Sequence, residues 1–343
     1  MSAARTPPGL FDSARLHATS TVVDAHHDLL MLVAFEHAKG NTDTFGQRWI
    51  PELREGGVDV QVLPVFVGEE APEAVLRKAV QMIDALHVEV DQHPGEVKLC
   101  LTRSDLDEAL ADGRIALLLA LEGAEPMRGD LHVLRTFHRL GLRMMSMTWN
   151  NRTLLADGNE ESASGSKLTR LGVAALAEME RLGIMLDVSH LSDHGFWHVC
   201  EIATRTFIAS HSNCRALFDH PRNLTDAQLR AVAGQGGVVG INLHPLLLRE
   251  KDADVVDCLD HLEHALAVAG EDHVGLGPDF CAELDELGPI FDPPAARGIK
   301  GLERAPDLPA FTEAMLDRGI SEDVAKKVLG QNFLRVLREG LPD

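Results

Sequence analysis

Eight short apolar runs, mostly β-branched or rich in leucine, recur along this chain of 343 residues. Apolar strands that are each followed by a crossover helix are the sequence form of a parallel sheet buried on both faces. Eight such units favour a closed (β/α)8 barrel, the TIM-like α/β fold, over an open sheet. The predicted strands are Thr21–Ala25, Val58–Phe66, Ile115–Leu121, Arg143–Thr148, Ile184–Ser189, Phe207–Ser210, Gly237–Leu243 and His273–Gly277.

Amphipathic stretches of helical period lie between most of these runs. The segment from Cys281 to Pro309 is rich in glycine and proline and has no periodicity, which predicts a long loop at the active-site end. The tail from Pro309 to Leu341 predicts helices that close the barrel. The sequence contains no nucleotide-binding glycine loop, internal repeat or linker, so residues 1–343 are predicted to form one domain. The main predicted helices are Ala71–Val90, Leu131–Leu140, Leu171–Leu182, Ala227–Ala233 and Val255–Val268.

The net charge of the chain disfavours some classes of binding partner. The chain carries 53 acidic and 32 basic residues, a net charge of −21, and such a surface repels phosphate backbones and anionic lipids. Nucleic acid and membrane are therefore not expected as partners. The five cysteines form no C-x-x-C pair, which is typical of reduced thiols, and residues 1–20 lack the apolar core of a signal peptide. We expect a cytoplasmic protein.

Metal-ligand side chains follow five of the predicted strands. In a barrel the carboxyl ends of the strands converge on one face, so these side chains are expected to meet there. Neutral imidazoles together with carboxylates are the ligands of zinc and similar divalent ions. The sequence therefore predicts a metal site at this face. The residues are His26 and Asp28 after the first strand, Glu122 after the third, His190 after the fifth, His211 after the sixth and Asp279 after the eighth.

The spacing of His26 and Asp28 suggests how they act together. Residues i and i+2 of a strand point to the same side, so both side chains would bind one ion while His27 faces away. Glu122 suits a position between two cations because a carboxylate has two oxygens. Taken singly, such residues have structural readings too, as a hydrogen-bonded core histidine or as a helix cap. None of the eight lysines lies at a predicted strand end, which removes a bridging carboxylated lysine.

Nine short motifs occur in a fixed order along nearly the whole chain. They are VVDAHHDL (22–29), LREGGVDVQ (53–61), LEG (121–123), LGLR (140–143), DVSH (187–190), SHS (210–212), PRN (221–223), GPDF (277–280) and QNFLRV (331–336). In this order the motifs resemble the membrane (renal) dipeptidase family. The resemblance implies zinc-dependent hydrolysis of dipeptides in an amidohydrolase-like barrel.

The resemblance implies two zinc ions per chain. His26 and Asp28 would bind one ion and His190 and His211 the other, with Glu122 between them. A hydroxide held by both ions would be the nucleophile, because two cations lower the pKa of bound water towards neutrality.

The resemblance also implies roles for two residues beyond the metal ligands. Asp279 would take a proton from the water and deliver it to the leaving amine. Arg222 would bind the carboxylate at the C-terminus of the substrate, since its planar guanidinium pairs with two oxygens.

Three departures from the family pattern concern the pocket rather than the metal ligands. Trp149 stands where many relatives have a histidine after the fourth strand. The chain contains no tyrosine, and His244 lies near the place of a substrate-binding tyrosine found in some relatives. Cys281 and Ala282 follow Asp279-Phe280 where the family has aspartate and glycine. Trp149 and His244 are therefore predicted to contact the substrate.

These observations predict a binuclear zinc dipeptidase for small dipeptides, including those that end in a D-amino acid. One alternative is another metal-dependent amidohydrolase, acting on a lactam or an N-acyl amino acid. A second is a family member that does not hydrolyse its ligand. A homodimer is expected from the base rates of oligomerisation.

Overall fold

The computed structural model describes residues 10–68, 73–287 and 298–343. In these residues the strands are Val22–Asp24 (β1), Val58–Phe66 (β2), Val97–Leu99 (β3), Ile115–Glu122 (β4), Leu142–Ser146 (β5), Met185–Asp187 (β6), Val239–Ile241 (β7) and Val274–Leu276 (β8). The α-helices are Leu10–Thr19 (α1), Leu29–Ala38 (α2), Ile50–Glu55 (α3), Val75–Gln92 (α4), Arg103–Ala111 (α5), Leu131–Arg139 (α6), Arg170–Leu182 (α7), Asp193–Ile202 (α8), Asp226–Gly234 (α9), Val255–Ala269 (α10), Leu308–Asp317 (α11), Glu322–Lys326 (α12) and Asn332–Gly340 (α13).

The strands form a parallel ring. β1, β2, β4, β5 and β6 pair in that order, and β7 pairs with β8. The gap between β6 and β7 is filled by a predicted strand that makes only two bridges, Ile208 to Asp187 and Ala209 to Val239. A hydrogen bond of 3.1 Å from the amide of Ala25 to the carbonyl of Leu276 joins β8 to β1. The predicted (β/α)8 barrel is confirmed.

Alternate residues along each strand face either the inside of the barrel or the surrounding helices. The smaller of two apolar clusters includes Val62 of β2, Leu118 of β4 and Met144 of β5. The next residues along these strands, Leu63, Leu119 and Met145, belong to the larger cluster, which packs beneath the helices. Because the strand period is two, the residues that point inwards continue to Glu122 at the end of β4 and Asp187 at the end of β6.

The amino end of the barrel is closed by α13, as the predicted C-terminal helices require. The ring of Phe333 packs so closely on Gly275 of β8 that a Cβ there would lie 2.4 Å from it. Leu337 and Leu341 join the same inner cluster as Phe333. The motif of residues 331–336 therefore contributes a plug of apolar side chains.

Several predicted boundaries were wrong. β3 was not predicted, and it pairs beside the first residues of β4, from Val97↔Ile115 to Leu99↔Leu117. The helix predicted from Ala71 begins at Val75, and residues 69–72 lie outside the described part of the chain. The segment predicted as a loop from Cys281 contains the 3₁₀ turns Ala282–Leu287 and Ala305–Asp307, and α11 already begins at Leu308. Its residues 288–297 are not described.

The helix termini follow from local hydrogen bonding. α9 begins where Thr225 accepts a hydrogen bond from the amide of Gln228, whose side chain accepts one from the amide of Thr225. α7 ends at Gly183, whose φ of 73° suits glycine. Within the described residues, no helix combines the length and the apolar character that crossing a bilayer requires.

Candidate metal centre

His26 and Asp28 lie together at the carboxyl end of the barrel, 3.8 Å apart between Nε2 and Oδ2. The reason given for their pairing was wrong, because β1 ends at Asp24 and neither residue is in a strand. Both belong to the turn into α2, where Asp28 is the residue before the first helical position. The side chain of His27 does turn away and packs edge-on against Trp49.

Glu122 is the last residue of β4 and points into the mouth of the barrel. Its Oε2 lies 3.5 Å from Nε2 of His26. Its Oε1 lies 2.8 Å from Nε2 of His190 and 3.4 Å from Nε2 of His211. One carboxylate thus faces two separate groups of ligand-type side chains.

His190 and His211 follow β6 and the bridged segment next to it. Their Nε2 atoms are 2.9 Å apart, and both side chains are buried. His190 has a φ of 68°, which is uncommon for a residue with a side chain and typical of functional sites. The backbone at His190 therefore turns the imidazole towards His211 at some cost in conformational energy.

Polar neighbours that were not predicted fix the orientation of these two rings. Nδ1 of His190 lies 2.8 Å from Oδ1 of Asn150. Nδ1 of His211 lies 2.7 Å from the hydroxyl of Ser210, which donates a hydrogen bond to Asp187. When the second ring nitrogen is engaged in this way, Nε2 is left to face the cluster. The sequence signal that could have revealed these neighbours is the presence of a polar residue, Asn150 or Ser210, near the end of a strand.

Asp279 borders the same cluster, with Oδ1 4.0 Å from Nε2 of His26. Its other oxygen, Oδ2, accepts a hydrogen bond of 2.8 Å from the side chain of Asn242, which is fully buried. Asp279 has a φ of 56°, and the thiol of Cys281 donates to its backbone carbonyl at 3.1 Å. Asn242 was not predicted, although it too lies directly after a strand, β7.

Burial dominates the protonation of the cluster. It raises the pKa of Glu122 to about 7 and raises that of Asp28. It lowers the pKa of His190 and His211 well below the usual range, so both imidazoles are neutral. Burial acts the same way on His26, but Glu122 and Asp28 outweigh it and raise the pKa of His26. The cluster therefore retains protons that a bound cation would displace.

The cluster fits a divalent cation. Nε2 of His26 and Oδ1 of Asp28 are buried and have no hydrogen-bond partner among the described residues. Leaving such atoms unpaired costs about 1–3 kcal/mol each, unless a ligand engages them. Three overlapping groups each bring all their ligand atoms within 4.8 Å of one another: His26, Asp28 and Glu122; Glu122, His190 and His211; and His26, Asp187 and His211.

A second group of ligand-type residues has a structural explanation. Asp43, Glu89 and His93 also lie within this distance of one another. However, the carboxylate of Glu89 accepts hydrogen bonds from the amides of Thr44 and Phe45, at 2.8 and 3.0 Å. Nε2 of His93 lies 2.7 Å from Oδ1 of Asp43. These contacts hold the segment before α3 in place.

Arg222 lies beside the cluster and is only 5% exposed. Its Nη2 donates to the carbonyl of His211 at 2.9 Å and its Nη1 to the hydroxyl of Ser212 at 3.2 Å. Nε has no partner among the described residues, and no ion pair is found for this guanidinium there. Burial lowers its pKa. A buried cation with neutral partners is suited to binding an anion.

The two predicted pocket residues lie at the same rim. The Trp149 ring is centred 5.1 Å from that of Phe66 and 6.0 Å from that of His190. His244 precedes a 3₁₀ turn after β7. Burial raises the pKa of Asp279, but electrostatic interactions with His26 and then His244, among others, outweigh it and lower that pKa. The structure thus brings all nine predicted site residues to one end of the barrel.

A parallel barrel whose strand ends carry buried imidazoles and carboxylates defines a class, the metal-dependent barrel hydrolases. Comparisons with known proteins identify the group within this class. The model of the membrane dipeptidase family, peptidase family M19, matches residues 12–340. The chain is 33% identical to dipeptidase aclJ of Aspergillus oryzae over 309 residues, 86% of this chain and 70% of that protein.

Two solved structures agree with this result. The metallo peptidase dipeptidase AC of family M19 has a TM-score of 0.84 and 30% identity, over 95% of this chain and 100% of that one. A Rhodobacter sphaeroides metallo peptidase, solved with a phosphinate mimic of the dipeptide L-Ala-D-Ala, has a TM-score of 0.83 and 29% identity, over 94% and 99%. The chain belongs to the membrane dipeptidase family and is a metal-dependent dipeptidase that acts on small peptides.

Proposed function

We propose that the protein is a binuclear zinc dipeptidase that cleaves small dipeptides, including those with a C-terminal D-amino acid. In this proposal His26 and Asp28 would hold one ion, His190 and His211 would hold the other, and Glu122 would be shared between them.

The position of Glu122 carries the proposal. Its Oε2 faces His26, whereas its Oε1 faces His190 and His211. One ion would engage only one of these groups, and the buried nitrogen and carboxylate atoms that the other group gathers within 4.8 Å would then have no cation between them. Two cations account for both groups and for the carboxylate between them. The imidazole and carboxylate ligands favour zinc over calcium or magnesium.

The bound ions would supply an activated water and would polarise the scissile carbonyl. The residues of the chain do the rest. Asn150 and Ser210 hold the rings of His190 and His211 in a fixed orientation, so that both Nε2 atoms remain directed at the site. Burial of the ligands excludes bulk water and strengthens each electrostatic interaction.

Asp279 is proposed as the group that moves protons. It lies 4.0 Å from Nε2 of His26, at the edge of the ligand set rather than within it. Asn242 donates to Oδ2 and leaves Oδ1 towards the site. Asp279 would accept a proton from the attacking water and donate it to the nitrogen of the departing amino acid.

Arg222 is proposed to bind the carboxylate of the substrate. Its buried guanidinium has no carboxylate partner among the described residues, so a substrate carboxylate would supply the missing charge. Trp149 and His244 would line the pocket. The inclusion of D-amino acids is supported by the related metallo peptidase that was solved with a mimic of L-Ala-D-Ala.

Metal analysis combined with a substrate panel tests the proposal. We expect about two zinc ions per chain by elemental analysis and turnover of L,L- and L,D-dipeptides that is lost in a chelated sample. One ion per chain would contradict the binuclear site. An intact zinc content without turnover of any dipeptide would contradict the proposed reaction.

Arg222→Ala separates a dipeptide from a substrate without a carboxylate. A fall of about 10²-fold in kcat/KM is expected for dipeptides, from the loss of a charge-assisted pair. Dipeptide amides, which lack the carboxylate, should be affected far less. Equal losses on both substrates would show that Arg222 does not bind this group, and would favour a lactam or another neutral amide as the substrate.

A further inference from the structure

Arg215 holds the backbone on both sides of Arg222. Its Nε donates a hydrogen bond of 2.8 Å to the carbonyl of Asn223, and its Nη2 donates one of 3.2 Å to the carbonyl of Pro221. These are the two residues that flank Arg222 in the chain. One guanidinium therefore fixes the backbone immediately before and after the residue whose own guanidinium is proposed to bind the substrate.

Asp193 holds Arg215 in turn. Its two carboxylate oxygens accept hydrogen bonds from Nη1 and Nη2 of Arg215, at 2.7 and 2.9 Å. Asp193 is the first residue of α8, and it also accepts a hydrogen bond of 3.0 Å from the side chain of Gln228 in α9. Burial raises the pKa of Asp193, but hydrogen bonds from Arg215 and Gln228 outweigh it and lower that pKa, so the carboxylate is ionised. A two-point ion pair leaves the guanidinium of Arg215 little freedom to move.

Backbone hydrogen bonds join the segment of Arg215 to that of Arg222. The amide of Arg215 donates to the carbonyl of Leu224, and the amide of Leu224 donates to the carbonyl of Asn213, both at 2.8 Å. The side chain of Arg222 donates to the carbonyl of His211, at the other end of the same segment. The segment that carries Arg215 therefore contacts both the backbone around Arg222 and its guanidinium.

Arg222 depends on such support because it lies in a loop, which leads from the bridged segment to α9. A guanidinium pairs with both oxygens of a carboxylate only when its plane and position match them. A loop that moved freely would have to be ordered each time a substrate bound, which would weaken binding. We propose that Arg215, held by Asp193, is a positioning residue that presents Arg222 to the C-terminal carboxylate of the substrate. This inference rests on the proposed function, because it assumes that Arg222 binds this carboxylate.

The experiment compares a dipeptide with its amide in the zinc-loaded enzyme. Arg215→Met keeps an unbranched side chain and removes its donors, so KM for L-Ala-D-Ala should rise on the order of tenfold while kcat changes little. KM for L-Ala-D-Ala amide, which has no carboxylate, should stay close to its wild-type value. Arg318→Met, which breaks an ion pair of 3.1 Å with Glu263 of α10, is the matched control and should leave both KM values unchanged.

A double-mutant cycle distinguishes positioning from direct binding. Arg222→Ala has already lost the group to be positioned, so adding Arg215→Met should not raise KM for L-Ala-D-Ala further. If the two losses multiplied instead, Arg215 would act independently of Arg222 and the inference would be wrong. Asp193→Asn, which weakens the hold on Arg215, should raise the same KM by a smaller factor and provides the test if Arg215→Met does not fold.

The two substrates also separate this inference from the proposed function. Equal rises in KM for L-Ala-D-Ala and its amide, or an unchanged KM for both in Arg215→Met, would overturn the role of Arg215 while dipeptide turnover stands. Failure of the wild type to cleave any dipeptide would instead overturn the proposed function. Zinc content and the unfolding transition, measured on each variant, separate these results from a damaged metal site or a damaged fold.

Discussion

The two ends of the barrel are built from the same strands and differ in what their inward side chains do. At the amino end, Leu118 and Met144 pack with Phe333 in a closed apolar cluster. At the carboxyl end, Glu122 and Asp187 continue the same inward rows with buried charge. Four residues along β4, from Leu118 to Glu122, thus separate packing from chemistry.

This difference shows which end of the barrel contains energetically unfavourable features. The apolar end satisfies the usual rules for a protein core, whereas the rim holds buried atoms without partners and two residues with positive φ, His190 and Asp279. Such features persist only when the surrounding structure enforces them. The packed end supplies stability that the rim does not, so mutations at the two ends should have separable effects.

The strongest test replaces Glu122 by glutamine. Removing the shared carboxylate oxygen should lower kcat/KM by about 10³-fold or more, because several kcal/mol of stabilisation by the metals depend on it. Loss of zinc by elemental analysis should accompany the loss of activity. The free energy of unfolding of the metal-free protein should not fall, since burial already opposes the charge of Glu122. If Glu122→Gln kept its zinc and its turnover, the metal site would not depend on Glu122, and the proposed functional difference between the two ends of the barrel would be wrong.

The converse test removes Phe333, which is 1% exposed. Phe333→Ala should lower the free energy of unfolding by about 3–5 kcal/mol through lost burial and a cavity. Denaturant titration measures this loss, and kcat/KM and zinc content per folded molecule should stay close to wild type at low temperature. If Phe333→Ala lost zinc but not stability, the apolar side chains at the amino end would be shown to influence metal binding at the carboxyl end.

Metal removal sharpens the comparison. Zinc should stabilise the folded protein by about 2.7 kcal/mol per site at a free concentration of 100 times Kd. Thermal unfolding with zinc and with chelator measures the shift. We expect it to be retained in Phe333→Ala and to be reduced in Glu122→Gln. If zinc raised the unfolding temperature of both variants equally, the stabilising ion would not be bound by Glu122.

The smallest predicted effect tests a supporting contact at the rim. Asn242→Ala removes the donor to Oδ2 of Asp279 and should lower kcat by about 10 to 100-fold with unchanged zinc content. KM for dipeptides should change little, because Asn242 is not expected to touch the substrate. Asn41→Ala, which removes an exposed amide contact with Gln47, is the control. An unaffected kcat would show that Asp279 does not depend on this hydrogen bond.

Much of the site was predictable because barrels place strand ends together. His190, His211 and Glu122 needed only correct positions for their strands, and errors of one or two residues in the boundaries did not move them to the other face. Arg222, Trp149 and His244 lie in loops, and they were found through the resemblance to a family rather than through periodicity.

Contacts between distant loops could not be predicted. Asn150 reaches His190 across 40 residues, and Asn242 reaches Asp279 across 37. Asparagine is common in turns for local reasons, so its presence after a strand does not identify a partner. β3 was missed because its three residues make too short a pattern for periodicity to resolve.

The sequence by itself determined the barrel and the set of side chains at its mouth. The period of each strand and the alternation of strands and helices can be read locally, and a parallel barrel brings the carboxyl ends of all its strands to one face. Only the tertiary structure decided how those side chains meet: the turn that brings His26 and Asp28 together, and the two sides of Glu122. These depend on distances of a few ångströms between loops, which are set by packing and the backbone path rather than by the spacing of residues along the chain.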